Sequence, residues 1–322
     1  MKILFITSNR LGDAVLSAGL LGHLVESCPQ ARFTIACGPV AAPLFRALPR
    51  LDRVIAFAKR RCSSHWFGLW GSCIGTGWGF IVDLRNSAVS RLLFTRRLVT
   101  GSRPAEDCHR VEHLARIFGL AEVPPPRLWF ADSDLDAARA LIPDGPPVLA
   151  LGPTANWRGK TWRAERFAAV AMRLTGPGGI LAGARVAVLA AANEREQAQP
   201  VIDAFDPARL IDLVGRTDSL QVGACLARTA LFVGNDSGLM HIAAAAGTTT
   251  LGLFGPSRPE HYAPWGAHCA AVTTAIPYRD LVWGPGYDHR TTGTLMDSLD
   301  VDTVVNAAGA LWLRGGPDRE SA

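Results

Sequence analysis

Lysine is scarce in this chain. Only Lys2, Lys59 and Lys160 occur in 322 residues, against 30 arginines, so a lysine in a ligand-suited loop carries weight. Charged residues make up 19% and hydrophobic residues 48%, which excludes a disordered chain and leaves ample material for a core. No CxxC occurs among the seven cysteines (28, 37, 62, 73, 108, 225 and 269). Their spacing and odd number exclude a zinc ribbon and a disulfide framework, and reduced thiols in a cytosol are expected. Long hydrophobic runs are missing as well. Residues 66–82 carry no charge, but five glycines interrupt them and they are short for a bilayer span. The segment MKILFITSNRLGD lacks the apolar stretch and cleavage site of a secretory leader, so a cytoplasmic protein is expected.

The net charge of +5 is unevenly placed. Residues 1–142 hold 18 lysines and arginines against 11 acids, whereas residues 143–322 hold 15 against 17. Both parts alternate strand-like and helix-like segments, the rhythm of βαβ units around a parallel sheet. Strands are expected at 2–7, 32–37, 54–57 and 80–84, then at 148–151, 186–190, 231–233 and 250–254. One helix with its apolar positions at Val15, Leu16, Leu20, Leu24 and Val25 follows the first strand, and another spans about 163–174. The stretch IPDGPP at 142–147 is the best boundary, with two prolines that donate no backbone hydrogen bond. It divides a domain at 1–142 from one at 148–300, with a terminal helix at 301–314 and a tail at 315–322.

Three loops carry candidate chemistry. Asn9-Arg10-Leu11-Gly12-Asp13 ends the first strand, at the sheet edge where ligands of open α/β sheets bind. Asp13 there either charges the first helical turn or faces a ligand. The loop from Gly152 to Lys160-Thr161 has the context of a P-loop, but six residues separate its glycines where the Walker motif has four. Lys160 is therefore read as a phosphate partner without a P-loop, or as an ordinary solvated charge. The third loop, Gly234-Asn-Asp236-Ser237-Gly238, leads into a small-residue helix containing His241 and ending at Gly247. Free amides at such a helix start form an anion site; the competing reading makes Asp236 and Ser237 caps and His241 a core histidine. Glu194 follows a strand at the same edge and either bonds a ribose diol or opens a helix.

Together these blocks resemble glycosyltransferase family 9, the ADP-heptose:lipopolysaccharide heptosyltransferases. Leu11-Gly12-Asp13, then Pro153 with Lys160-Thr161-Trp162 and Glu165-Arg166-Phe167, carry the likeness. So does Asp236-Ser237-Gly238-x-x-His241-x-Ala-Ala-Ala-x-Gly247, followed by Phe254-Gly255-Pro256-Ser257. The resemblance implies an α/β fold of GT-B type, with two Rossmann-like domains whose parallel sheets face each other across a cleft. It implies inverting, metal-independent transfer of a heptose or related sugar from an ADP-sugar, ADP-heptose in the first instance. The acceptor is lipopolysaccharide core or a similar glycan. No cofactor and no metal are expected.

Asp13 matches the family's general base. Lys160 matches the diphosphate-binding lysine, with Asn156, Ser237 and Gly238 as further diphosphate ligands. Glu194, Asp236 and His241 fall to the nucleotide and sugar. On this reading the basic first domain receives an anionic glycolipid, with Arg10, Arg60 and Arg61 as acceptor ligands and peripheral contact with the inner membrane face. The sequence departs from many relatives at 277–296, where they carry cysteines and this chain has none. A non-catalytic nucleotide-sugar or glycan-binding protein on the same fold is the competing class. Nucleic-acid binding finds no motif, and the arginines are scattered.

Overall fold

The computed structural model describes residues 1–58, 64–103, 108–284, 287–288 and 291–315. Its contacts divide the chain into two units, 1–131 and 132–322. In the first, β1 (Lys2–Ile6), β2 (Arg32–Cys37), β3 (Leu51–Ala56), β4 (Phe80–Asp83) and β5 (Leu98–Thr100) form a sheet in the order β3-β2-β1-β4-β5. All of its neighbouring strands are parallel. The order reverses direction between β1 and β4, which makes that pair the switch point.

The second unit holds β6 (Val148–Gly152), β7 (Arg185–Val188), β8 (Leu210–Asp212), β9 (Leu231–Asn235), β10 (Thr250–Phe254) and β11 (Cys269–Thr273). Their order, β11-β10-β9-β6-β7-β8, is the doubly wound pattern of dinucleotide folds read from the other edge, with its switch point between β6 and β9. These strands are parallel too. Helices cover such a sheet on both faces, which is why VLALG, LFVGN and TLGLF are buried at every position without alternation.

Helix Ala164–Thr175 buries Phe167, Val170, Ala171 and Leu174, the spacing of a single apolar stripe. The last helix, Val301–Arg314, starts at Asp300, whose carboxylate accepts the Thr303 N–H at 2.6 Å, and it buries Val304, Ala308 and Leu311. Helix Gly238–Ala245 ends as its residues foretell: Gly247 takes φ +83°, and Thr248 N–H returns to the Ala243 carbonyl at 3.1 Å. Phe232 lies beneath both central strand ends. A Cβ added to Gly152 would meet its ring at 2.7 Å, and one added to Gly234 at 2.5 Å.

Several details differ from the sequence reading. The single helix after β1 is two, Leu11–Leu16 and Ala18–Ser27. The break is at Ser17, whose hydroxyl donates to the Ala14 carbonyl at 2.8 Å and lies 2.7 Å from the Thr7 hydroxyl. Side-chain bonding of this kind competes with the helix ladder. The short edge strands β5, β8 and β11 have no counterpart in the sequence reading, because three to five partly exposed residues lack a distinct period.

The 142–147 turn lies inside the second unit. Arg185 donates to the carbonyls of Pro143 and Pro146 at 2.7 and 3.0 Å, and Arg228 donates to Ile142 at 2.8 Å. The six described cysteines are free. Burial pushes the thiols of Cys37 and Cys269 up to about 12, and those of Cys73 and Cys225 to about 11, so they stay protonated at neutral pH.

Candidate active site

Each unit gathers its chemistry at the carboxyl ends of its strands. In the second unit, the loop after β6 carries Asn156 and Lys160, and the turn after β7 carries Glu194. The turn after β9 carries Asp236, Ser237 and Gly238. Asn235, the last residue of β9, ties the first of these to the third. Its side-chain amide donates to the Pro153 carbonyl at 2.9 Å, and its side-chain oxygen accepts the Trp162 N–H at 3.1 Å. It is fully buried, so both bonds are shielded from water. Trp162 is buried in turn, donating from Nε1 to the Leu299 carbonyl at 2.9 Å and meeting Phe167 edge-on. The loop is closed from the other side by Leu295 N–H on the Gly159 carbonyl at 3.0 Å and Thr294 Oγ1 on the Thr161 carbonyl at 2.6 Å.

In that frame the Lys160 ammonium pairs with the Asp236 carboxylate. The aspartate side chain is 7% exposed and the lysine 24%, so the pair is largely desolvated yet open on the lysine side. Glu194 Oε2 accepts from the Thr154 hydroxyl at 2.7 Å and the Ala191 N–H at 3.1 Å, which fixes the glutamate over the loop that holds Lys160. Ser237 stands at the N-cap of helix Gly238–Ala245 in extended conformation, but its side chain caps nothing. Its hydroxyl is buried without a partner, as are those of Thr161 and Ser257. An unpartnered hydroxyl at an uncapped helix start, next to the aspartate that holds a lysine, is an arrangement suited to an anion. Asn156 is exposed on the loop, and His241 is 4% exposed within the helix.

The first unit is sparser. Asp13 sits in the first turn of helix Leu11–Leu16, and its Oδ2 accepts from the Ser8 hydroxyl at 3.3 Å. Arg10 is exposed at the N-cap, where its N–H donates to Ser8 Oγ at 3.1 Å. Across the switch point, Asp83 at the end of β4 is fully buried and spent on its own turn. It accepts from Arg85 N–H, Ser87 N–H and Ser87 Oγ at 3.0, 2.8 and 2.7 Å. Asn9 Oδ1 is buried without a partner. Arg60 and Arg61 lie outside the described residues.

The sequence reading quoted Trp162 within a motif but gave no role to it, nor to Asn235, Thr154 or Asp83. For Asn235 the available signal was a polar residue closing the otherwise apolar strand LFVGN.

With two doubly wound units of this order, the fold is that of nucleotide-binding α/β proteins. The model of glycosyltransferase family 9 (heptosyltransferase) matches residues 87–280, and the chain belongs to that family, a family of enzymes. Its fold class is GT-B. The lipopolysaccharide heptosyltransferase 2 of Salmonella typhimurium is 27% identical over 315 residues, covering 86% of this chain and 88% of that protein. Among solved structures, the family 9 glycosyl transferase from Veillonella parvula superposes with TM-score 0.79 at 19% identity, covering 97% of both chains. The E. coli ADP-heptose lps heptosyltransferase II does so with TM-score 0.74 at 20% identity, covering 98% of this chain and 99% of that one. Among the described residues, no helix is long and apolar enough to cross a membrane.

Proposed function

We propose that this chain transfers a heptose from ADP-heptose to lipopolysaccharide core or a closely similar glycan, with inversion and without a metal. The arrangement at the β6/β9 switch point carries this reading: a lysine held by Asp236 stands next to an uncapped helix start with the unpartnered Ser237 hydroxyl, a setting that gives a leaving diphosphate countercharge. The names of the relatives supply the sugar and the acceptor class.

Lys160, Asn156, Ser237 and Gly238 hold the diphosphate in this scheme. Glu194, Asp236 and His241 serve the nucleoside and sugar, Glu194 through the oxygen not bound to Thr154. As the bond to the diphosphate breaks, negative charge grows on the leaving oxygen, and Lys160 is drawn from Asp236 toward it. Asp13 takes the proton from the acceptor hydroxyl, which then attacks the anomeric carbon on the face opposite the diphosphate. Arg10, Arg60 and Arg61 receive the anionic acceptor, a glycolipid presented at the inner membrane face.

The test is Asp13→Ala, assayed with ADP-heptose and a heptose-acceptor core. Turnover should fall by about 100- to 10,000-fold while ADP affinity holds. Undiminished turnover would remove Asp13 as the base. Turnover by wild type with no ADP-sugar, but with another nucleotide-sugar, would replace the donor.

A further inference from the structure

We propose that the outer face of helix His65–Cys73, together with the segment that follows helix Ala88–Arg91, docks on an anionic lipid bilayer surface. The helix HWFGLWGSC contains no charged residue. His65, Leu69 and Cys73 form its buried stripe, yet the opposite side is apolar too: Phe67 is 76% exposed, and Ile74, just past the helix, is 51% exposed. A short surface helix with no charged residue and a large aromatic on its outer side has no reason for that side in water alone. The neighbouring segment repeats the pattern, with Leu92 at 68% and Phe94 at 79% exposed. The two are tied together where Trp70 Nε1 donates to the Leu92 carbonyl at 3.4 Å. Single exposed apolar residues are ordinary on a protein surface; a joined group of large ones marks an interaction site.

Charge selects the partner. Residues 64–103 hold five arginines and one acid, Asp83, which is fully buried and hydrogen-bonded by its own turn. Arg85, Arg91 and Arg96 are exposed, and Arg85 lies over the Trp66 ring at 5.7 Å. From β3, Arg53 reaches the Ser72 carbonyl near the helix end. Exposed aromatics flanked by guanidinium groups, with no exposed carboxylate in that stretch, match the apolar boundary and anionic headgroups of a bilayer. A second copy fits poorly, since a two-fold interface would set these same arginines against each other. This surface deepens the lipid-linked acceptor reading, on which it rests only for its biological setting, because its test uses no sugar.

Flotation of the full chain with vesicles decides the matter. Binding is expected to vesicles containing about 30 mol% phosphatidylglycerol and not to pure phosphatidylcholine, and it should weaken with salt. The double variant Phe67→Ser, Phe94→Ser should lower partitioning by about tenfold or more, and Arg96→Gln by about fivefold, with melting temperature and ADP affinity unchanged. Failure of wild type to float with anionic vesicles, or equal flotation of the double variant, would overturn the proposal. So would a concentration-dependent dimer that the double variant abolishes. Loss of heptose transfer with flotation intact would count against the sugar reading alone.

Discussion

The two switch points differ in how tightly they are built. Around β6 and β9, Asn235, Trp162, Thr154 and Glu194 lock three loops together through bonds of 2.7–3.1 Å. Around β1 and β4, Asp13 has one 3.3 Å contact with Ser8, and Asp83 braces only its own turn. A nucleotide diphosphate presents the same geometry at every turnover, so a site made for it gains from rigidity. A base that must meet a branched glycan tolerates a looser setting. The contrast supports the proposed division of labour, with the donor at the braced edge and the acceptor at the open one.

Losing Asp13 should show the largest effect, on turnover alone. Next comes Lys160→Ala, which should weaken ADP by about 10- to 100-fold, the range of a charge-assisted hydrogen bond, and leave acceptor affinity alone. Calorimetry with ADP reads this directly; an unchanged Kd would mean the lysine serves only Asp236. Asn235→Ala should cost about 3 kcal/mol, because it strands the Trp162 N–H and the Pro153 carbonyl in a buried place. Ser8→Ala should cost less than about 1 kcal/mol, since its hydroxyl makes one long contact to a partly exposed carboxylate and accepts one N–H, that of Arg10, at the exposed surface. Equal losses on denaturant unfolding would erase the contrast between the edges.

The smallest effect is in acid. Burial holds the His113 imidazole of the first unit below its ordinary value, with its contact to the Ser102 carbonyl opposing. The unfolded chain therefore takes the proton first, and stability falls as pH drops below the ordinary histidine value of about 6.5 toward the lower folded one. In the second unit, the bond from Arg163 keeps Asp297 below its ordinary value. Its contribution is present above the ordinary carboxylate range and disappears only as pH falls through the lower folded value. Melting curves between pH 7.5 and 5 should thus show the first unit weakening, and His113→Gln should flatten that slope.

Much of this was readable before any coordinates. The long buried strands were, because in a parallel sheet covered on both faces an unbroken apolar run is itself the signal. Lys160 and the Asp236–Gly238 turn stood out through the rarity of lysine and the strand–turn–helix order. The pairing of Lys160 with Asp236 was not legible, since 76 residues separate them and only the β6/β9 neighbourhood joins their loops. Asn235 escaped for a related reason: its meaning lies in two backbone groups, Pro153 O and Trp162 N–H, that no side-chain pattern records. Ser17 was invisible because its partner, Thr7, lies in the preceding loop.

The ring of Phe232 gives the braced edge a history-dependent character. Because it fills the space where a side chain at either Gly152 or Gly234 would go, neither glycine can be enlarged without displacing the ring. A lineage drifting toward another donor would have to shrink residue 232 first and gain bulk at the strand ends afterwards. The reverse order pushes a buried ring aside and costs stability. The three positions are thus epistatic, and substitutions measured singly would understate what they permit in sequence.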